Sequence, residues 1–225
     1  MTGPFIRCES LTKKYTGRNL TVTALSDINL DIQKGELVLV KGRSGAGKST
    51  LLNLIGGLIR PTSGKVRIGD QAISELDNSS LSRILANRIG IIFQSLNLLP
   101  TYDIFENIEI ALTPKGLGKK EIEKLAMPWF DQFDLAGKIH SHPEELSVGQ
   151  QQKVAVIRTL VKDPSVILAD EPTASVDEET AKEIIGCLTG LSKEKSVTVM
   201  IATHGIVSEG YADSVITLED GCLKS

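Results

Sequence analysis

Three short stretches of this chain carry residue types at spacings that can do chemistry. The first is "GRSGAGKST", Gly42 to Thr50, which fits GxxxxGK[ST]. It follows the apolar run "ELVLV" and precedes the helical run "STLLNLIGGL". In that context the glycines let backbone amides curl around phosphate oxygens, the Lys48 amine reaches β and γ phosphates, and the Ser49 hydroxyl can hold magnesium. The second, "VILADEP", ends an apolar strand with two adjacent carboxylates, Asp170 and Glu171. Successive strand residues point to opposite sides, so Asp170 can face a magnesium while Glu171, displaced from it, orients or deprotonates a water. An isolated Asp-Glu pair commonly does no more than end a strand at the surface, and it is the phosphate-type loop upstream that argues otherwise. The third, "MIATHG", sets His204 after an apolar run, at the carboxyl end of a parallel strand, where ligand crevices lie in open α/β sheets.

A fourth stretch, "EELSVGQQQKVAVIRTL" (144 to 160), reads first as plain structure. Ser147 and Gln150 fit a capping box, and Val154, Ile157, Leu160 and Val161 recur on one helical face that Lys162 and Pro164 close. Yet its first turn carries no Asp or Glu. The positive end of that helix is a vacant anion site. Other candidates carry less. His140 and His142 form an HxH pair with no third ligand nearby, which argues against a metal site. Cys8, Cys187 and Cys222 are odd in number, far apart and without a CxxC pair, so they read as reduced packing residues.

The elements that must position these groups follow from patterning. Strands are expected at "ELVLV" (36 to 40), "IGIIF" (89 to 93), "SVILAD" (165 to 170), "VTVMIA" (197 to 202) and "SVITL" (214 to 218). They alternate with amphipathic stretches as in a mostly parallel sheet covered by helices, the α/β class. "FIRCESL", "NLTVTALSDINLDI" and "GKVRIG" alternate between turn signals and suggest an antiparallel sheet beside the main one. Between 95 and 164 helical patterns dominate, broken at Pro100, Pro114, Gly116, Gly118, Pro128 and Pro143, as in a helical lobe inserted into an α/β core. With 225 residues the chain can hold one large domain carrying such a lobe. Apolar residues make up 41%, but no run approaches the roughly 18 needed to span a membrane. The start, "MTGPFIRCES", has no signal-peptide pattern, so the cytoplasm is the expected compartment. A formal net charge of -3 gives no global attraction to nucleic acid.

In one order the chain carries "GRSGAGKS", a glutamine ending a strand in "IIFQ", "LSVGQ", "VILADEP", "ASVD" and "ATH". Together these motifs resemble the nucleotide-binding subunit of an ABC transporter, over nearly the whole chain. The resemblance implies an α/β P-loop NTPase core with a mainly parallel sheet, an N-terminal antiparallel β subdomain and an inserted helical subdomain. It also implies one domain, 1–225, with the core near 1–94 and 165–225 and the helical part near 95–164. ATP and Mg2+ are the implied cofactors. Gly42, Arg43, Ser44, Gly45, Ala46, Gly47, Lys48, Ser49 and Thr50 would bind ATP, with Tyr15 of "LTKKYTG" stacking on adenine. Ser49, Gln94 and Asp170 would hold magnesium. Glu171 would be the catalytic base, His204 would contact the γ-phosphate, and Lys48 and Gln94 would complete the catalytic set, Gln94 also linking core to lobe. The vacant helix start then has a use: the family's LSGGQ signature, here Ser147, Val148, Gly149 and Gln150, binds the γ-phosphate of an ATP held by a second copy of the chain. Two chains would sandwich two ATP molecules, with Asp177 crossing the interface. Val148 departs from the family's glycine, which puts backbone freedom and rate in question.

After Gln94, "SLNLLPTYDIFENIEIAL" holds Leu96, Leu98, Leu99, Tyr102, Ile104 and Phe105. These residues either form the lobe's own core or line a groove for a short helix of a membrane subunit. Trp129, Phe130 and Phe133, at helical spacing, read as lobe core. Together with "QQQKVAVIRTL", the segment resembles the ATPases of the lipoprotein-release, macrolide-export and cell-division group. The implied function is an ATP-hydrolysing subunit that dimerises around two Mg-ATP and drives an integral membrane permease, of export or mechanotransmission type, from the cytoplasmic face, with no nucleic acid partner. Two alternatives share the motifs: a regulatory module that signals through a membrane partner without transport, and a soluble ABC ATPase. The chain length fits neither the long coiled-coil insertion of DNA-repair types nor the paired cassettes of translation types.

Overall fold

Two sheets share one hydrophobic core in the computed structural model, which describes residues 3–18, 20–204 and 207–224. Strands β1 (Ile6–Thr16) and β2 (Thr21–Ile32) alternate apolar and polar residues and pair antiparallel, Ile6 opposite Ile32 and Thr16 opposite Thr21. Strand β3 (Leu37–Lys41) leaves for the second sheet and leads through a glycine-rich turn to helix α1 (Lys48–Ile55). Strands β4 (Ser63–Ile68) and β5 (Gln71–Ala72) then return, giving a four-stranded antiparallel sheet in the order β2-β1-β4-β5. Helix α2 (Asn78–Asn87) leads into the rest of the larger sheet: β6 (Ile89–Ile92), β7 (Val166–Asp170), β8 (Thr198–Thr203), β9 (Ser214–Glu219) and β10 (Cys222–Leu223). Its order is β10-β9-β3-β8-β7-β6, parallel throughout except for β10 against β9. The expected strands all lie where the apolar runs put them.

β3, β7 and β8 are buried on both faces, which is why their sequences read as continuous apolar runs. Alternate residues divide between two cores. Val38, Val40, Leu168, Met200 and Ala202 pack with Leu51, Leu52 and Ile55 of α1 and with Ile6, Leu25 and Val66 of the antiparallel sheet. Leu37, Leu39, Ile167, Val199 and Ile201 face the other way, toward α3 (Ile104–Leu112), α4 (Lys119–Gln132), α5 (Val148–Leu160) and α6 (Glu178–Lys195). Among the described residues no strand lies between Ile92 and Val166. The residues of α3 to α5 nevertheless join the core of the sheet face rather than forming a separate one, with Phe105, Phe130 and Val156 in the same cluster as Leu39 and Ile201.

The helical segment corrects one expectation. The chain does not break at Pro128, which lies inside α4. A proline there removes one helical hydrogen bond, a cost of about 3 kcal/mol, whereas burying Ile122 and Phe130 on the same helix gains about 1.5 to 3 kcal/mol for each side chain. The packing outweighs the kink. The other breakers lie outside the α-helices: Pro114 and Pro143 sit in short 3-10 turns, Gly116 is in a left-handed turn and Gly118 is at the N-cap of α4. Phe130 and Phe133 are buried and Trp129 packs partly against the same core under the Lys195 ammonium, 5.4 Å from the ring centroid. Cys222 departs from the packing reading: it is exposed on the short edge strand β10. No helix among the described residues is long and apolar enough to cross a membrane.

Candidate functional site

The loop between β3 and α1 takes a path that only glycine allows at its two ends. Gly42 has φ 156° and Gly47 φ 102°, and a Cβ on either would sit within 2.4 Å of the Leu218 carbonyl or 2.6 Å of the Ala24 carbonyl. Gly47 is also the N-cap of α1, with no side-chain cap and no acid in the first turn, so the amides at that helix start are open to an anion. Lys48 is 7% exposed and folds back over the loop. Its ammonium donates to the Gly42 carbonyl at 2.8 Å and the Arg43 carbonyl at 3.2 Å, and lies 3.9 Å from Glu171 Oε1.

Asp170 ends β7 beside β8, and its Oδ1 is buried with no hydrogen-bond partner among the described residues. A buried carboxylate oxygen without a donor is costly, and a hard cation is the natural complement to it. The fit to magnesium therefore rests on this orphan oxygen and on the Ser49 hydroxyl at the mouth of the loop. Glu171 is placed differently from the expectation. It has φ 50°, so the strand ends at Asp170 and the left-handed turn, not strand alternation, separates the two carboxylates. The Glu171 amide donates to the Ala202 carbonyl at 2.9 Å, which holds that turn against β8. Its side chain is 8% exposed and meets His204 Nδ1 at 2.5 Å through Oε1. His204 follows β8 directly, as its motif suggested, but its nearest polar partner here is Glu171.

One cavity of about 280 Å³ joins the glycine-rich loop to Glu171 and His204. Ser44, Gly45, Gly47, Lys48, Ser49 and Thr50 line one side, and Gln94, Glu171 and His204 the other. Ala24 of β2 also lines it; its residue type carries no signal, and only the contact of its carbonyl with Gly47 places it there. Tyr15 does not line the cavity. It is exposed on β1, with the Lys13 ammonium 5.1 Å from its ring.

The other expected group lies apart. Ser147 caps α5 as a capping box: Ser147 Oγ accepts from the Gln150 amide at 3.3 Å, and Gln150 Oε1 accepts from the Ser147 amide at 3.1 Å. Val148 is exposed, and neither it nor Gly149 has a positive φ. Asp177 caps α6, where hydrogen bonds from the Thr180 amide and hydroxyl hold its carboxyl below the ordinary range. None of these residues lines the cavity around Lys48. Within one chain, the two halves of the expected site do not meet.

Farther along the same surface, a groove of about 320 Å³ runs between Leu58, Phe93 and Ala111, with Arg158 and Lys162 in its wall. Arg158 donates to the Leu96 and Asn97 carbonyls at 2.7 and 2.6 Å, tying α5 to the segment after Gln94. That segment divides: Ile104 and Phe105 are buried in the core, whereas Leu99 and Tyr102 are exposed, as are Leu58 and Ile110.

The sequence pattern of the ABC transporter family matches residues 25–174. The chain is 39% identical over 220 residues to an uncharacterized ABC transporter ATP-binding protein of Methanocaldococcus jannaschii, MJ0796, covering 96% of this chain and 94% of that one. It is 37% identical to the lipoprotein-releasing system ATP-binding protein LolD of Chromohalobacter salexigens, covering 97% and 92%. It is 41% identical to the methionine import ATP-binding protein MetN of Rhodopseudomonas palustris, covering 96% of this chain and 59% of that one. Its structure resembles the dimeric structure of a post-hydrolysis state of the ATP-binding cassette MJ0796 bound to ADP and Pi, with a TM-score of 0.92 over 98% of this chain and 97% of that one at 36% identity.

Proposed function

Because the chain belongs to the ABC transporter family of ATP-hydrolysing cassettes, we propose that it acts as a head-to-tail dimer closing on two Mg-ATP to drive an integral membrane permease from the cytoplasmic face. The observation that supports this most directly is the division of the site. One cavity offers a phosphate cradle with Lys48, Glu171 and His204 around it, and α5, outside that cavity, offers a capped helix start without an acid. A second copy supplies to each what the other lacks. The segment 95–164 then works as the lobe that carries the signature, with Gln94 at its junction with the core, and Tyr15 supplies the stacking face for adenine.

The roles follow from the bonds already made. On ATP binding Lys48 exchanges the Gly42 and Arg43 carbonyls for β and γ phosphate oxygens. Asp170 Oδ1, with Ser49 and Gln94, would hold a magnesium ion, whose chemistry there would be neutralisation of phosphate charge. Glu171 orients a water and accepts its proton at the carboxylate as the water oxygen attacks the γ-phosphorus and the bond to the β-phosphate oxygen breaks. With His204 Nδ1 engaged by Glu171, the other ring nitrogen is left to face the γ-phosphate. Ser147, Gly149 and Gln150 of the second copy contribute the hydroxyl, the amide and the helix start to the same phosphate.

The groove beside Phe93 and the exposed Leu58, Leu99, Tyr102 and Ile110 give the permease an apolar seat. The likeness to LolD favours an export or mechanotransmission partner, and the identity to MetN favours import as a second reading. Affinity capture of tagged Glu171→Gln from detergent-solubilised native membranes with ATP present tests the assignment. Stoichiometric recovery of an integral membrane protein is expected, and its outer domain separates the two readings. Recovery of soluble, ribosomal or nucleic-acid partners alone would overturn the membrane assignment and leave the ATP site standing.

A further inference from the structure

Helices α5 and α6 lie side by side, and their first turns touch at a single glycine. A Cβ built on Gly149 would stand 3.1 Å from Thr180 Oγ1, 3.5 Å from its Cγ2 and 3.7 Å from Asp177 Oδ2. The backbone of α5 therefore rests directly on the Thr180 side chain. That side chain is 8% exposed and already committed: its hydroxyl donates to Asp177 Oδ2 at 3.1 Å, while its amide donates to Asp177 Oδ1 at 2.9 Å. Both oxygens of Asp177 are thus held by one residue. About a turn farther along the two helices, Lys153 and Glu183 form an ion pair at 2.5 Å, with the Lys153 side chain 13% exposed. Gly149 to Lys153 is a step of four and Thr180 to Glu183 a step of three, so both contacts fall on one stripe of each helix.

The loop ending at Asp177 begins at Glu171. It opens with a turn in which the Ala174 amide donates to the Glu171 carbonyl at 3.2 Å, and it closes at the Asp177 cap. The carboxylate next to Lys48 and the carboxylate held by Thr180 are only six positions apart. A close-packed contact between two helix starts has no slack, so a displacement of one is passed to the other.

We propose that Thr180 is a positioning residue: it locks the Asp177 turn to the start of α5, so that engagement of α5 on one ATP sets the loop that carries Glu171 toward the other. This rests on the shared-site dimer proposed above, in which α5 meets the partner's nucleotide while Glu171 faces its own chain's. The contact then spans the two sites within one chain, and hydrolysis at one responds to closure at the other.

Steady-state ATPase kinetics of Thr180→Val and Thr180→Ser test it, alongside thermal unfolding and ATP-dependent dimerisation of each variant in a Glu171→Gln background. Valine keeps the shape and the amide bond to Asp177 but loses the hydroxyl; serine keeps the hydroxyl. For Thr180→Val, kcat is expected to fall on the order of ten-fold, since small misplacements of a reacting group cost that much or more. Its KM for ATP should stay within about two-fold and its Tm within about 4 °C of the wild-type chain. Thr180→Ser should recover most of the lost kcat. A Thr180→Val kcat equal to wild type overturns the proposal, and so does a Thr180→Ser variant that loses as much as the valine. The underlying dimer is judged separately. If Glu171→Gln alone stays monomeric with ATP, the shared site itself is wrong; if it dimerises and Thr180→Val is unaffected, only the role of Thr180 fails.

Discussion

Lys48 and Glu171 lie 3.9 Å apart and are 7% and 8% exposed, a buried pair in which Glu171 Oε1 also meets His204 Nδ1. Two unit charges about 4 Å apart interact by about 4 kcal/mol at an effective dielectric of about 20 and about 1 kcal/mol in bulk water. The side chains are buried, but the cavity they line opens to the surface, so their coupling should fall between about 1 and 3 kcal/mol. Lys48→Met also strips the donor from the Gly42 and Arg43 carbonyls and leaves Glu171 without its cation, which should cost about 2 to 4 kcal/mol. Glu171→Gln removes the charge but keeps a carbonyl oxygen for His204, and should cost less than about 1 kcal/mol. The double variant should then be more stable than the sum of the single losses predicts. Urea unfolding of the four proteins without nucleotide, followed by the fluorescence of Trp129, gives the coupling directly. A value below about 0.5 kcal/mol, the level at which independent sites already add, would refute the claim that these two side chains hold each other in the resting state.

Three further outcomes follow from other parts of the chain. Val148 occupies a helical, exposed first turn with no positive φ, so Val148→Gly should change kcat by no more than about three-fold and lower stability by about 0.5 kcal/mol through helix propensity alone; loss of all ATPase activity would reveal a role for the valine that this geometry does not contain. Burial first, then the Lys115 and Arg158 charges, push the Lys162 amine down to about 8 from its ordinary 10.5. The folded chain therefore binds fewer protons than the unfolded one between about pH 8 and 10.5, and this group's contribution to stability rises with pH across that window. Lys162→Met should flatten the rise in urea midpoint between those limits, and parallel curves for the two proteins would rule the shift out. Burial, and then Asp31, push the Cys8 thiol up to about 12, and burial pushes Cys187 up to about 11, whereas Cys222 is exposed. Ellman's reagent at pH 8 should label Cys222 in the native chain and Cys8 only on unfolding; rapid native labelling of Cys8 would contradict the packing of β1 against β2 and β4.

Strand positions were legible because β3, β7 and β8 are buried on both faces, which writes continuous apolar runs into the sequence. The phosphate-type loop was legible for a different reason: Gly42 and Gly47 stand where the backbone leaves no room for a Cβ, so their spacing records a shape. Pro128 misled because local propensity says nothing about the buried face that holds α4 together around it. The adjacent pair Asp170 and Glu171 misled more subtly. Strand alternation gave them different directions, but Glu171 is separated by a left-handed turn that its residue type does not advertise. The contact of Thr180 with Gly149 had no sequence signal at all, since the two residues are thirty-one positions apart and meet only through the packing of α5 on α6.

Most polar groups of the resting site satisfy one another: Lys48 is bound to carbonyls, Glu171 to His204, and Asp177 to Thr180. A ligand that enters must replace those bonds with equivalents, so they select for shape and charge and do not by themselves draw it in. The draw comes from groups that lack complements. These are the open amides at the start of α1, the acid-free first turn of α5 and the orphan Oδ1 of Asp170. The first two ask for negative charge and the third for a cation, and a triphosphate carrying a divalent ion meets both requirements at once. The start of α5, however, lies outside the cavity that the start of α1 lines together with Glu171, the neighbour of Asp170. A single chain leaves that requirement unmet however well it binds nucleotide, and this would give the proposed ATP-dependent pairing of two chains a physical cause.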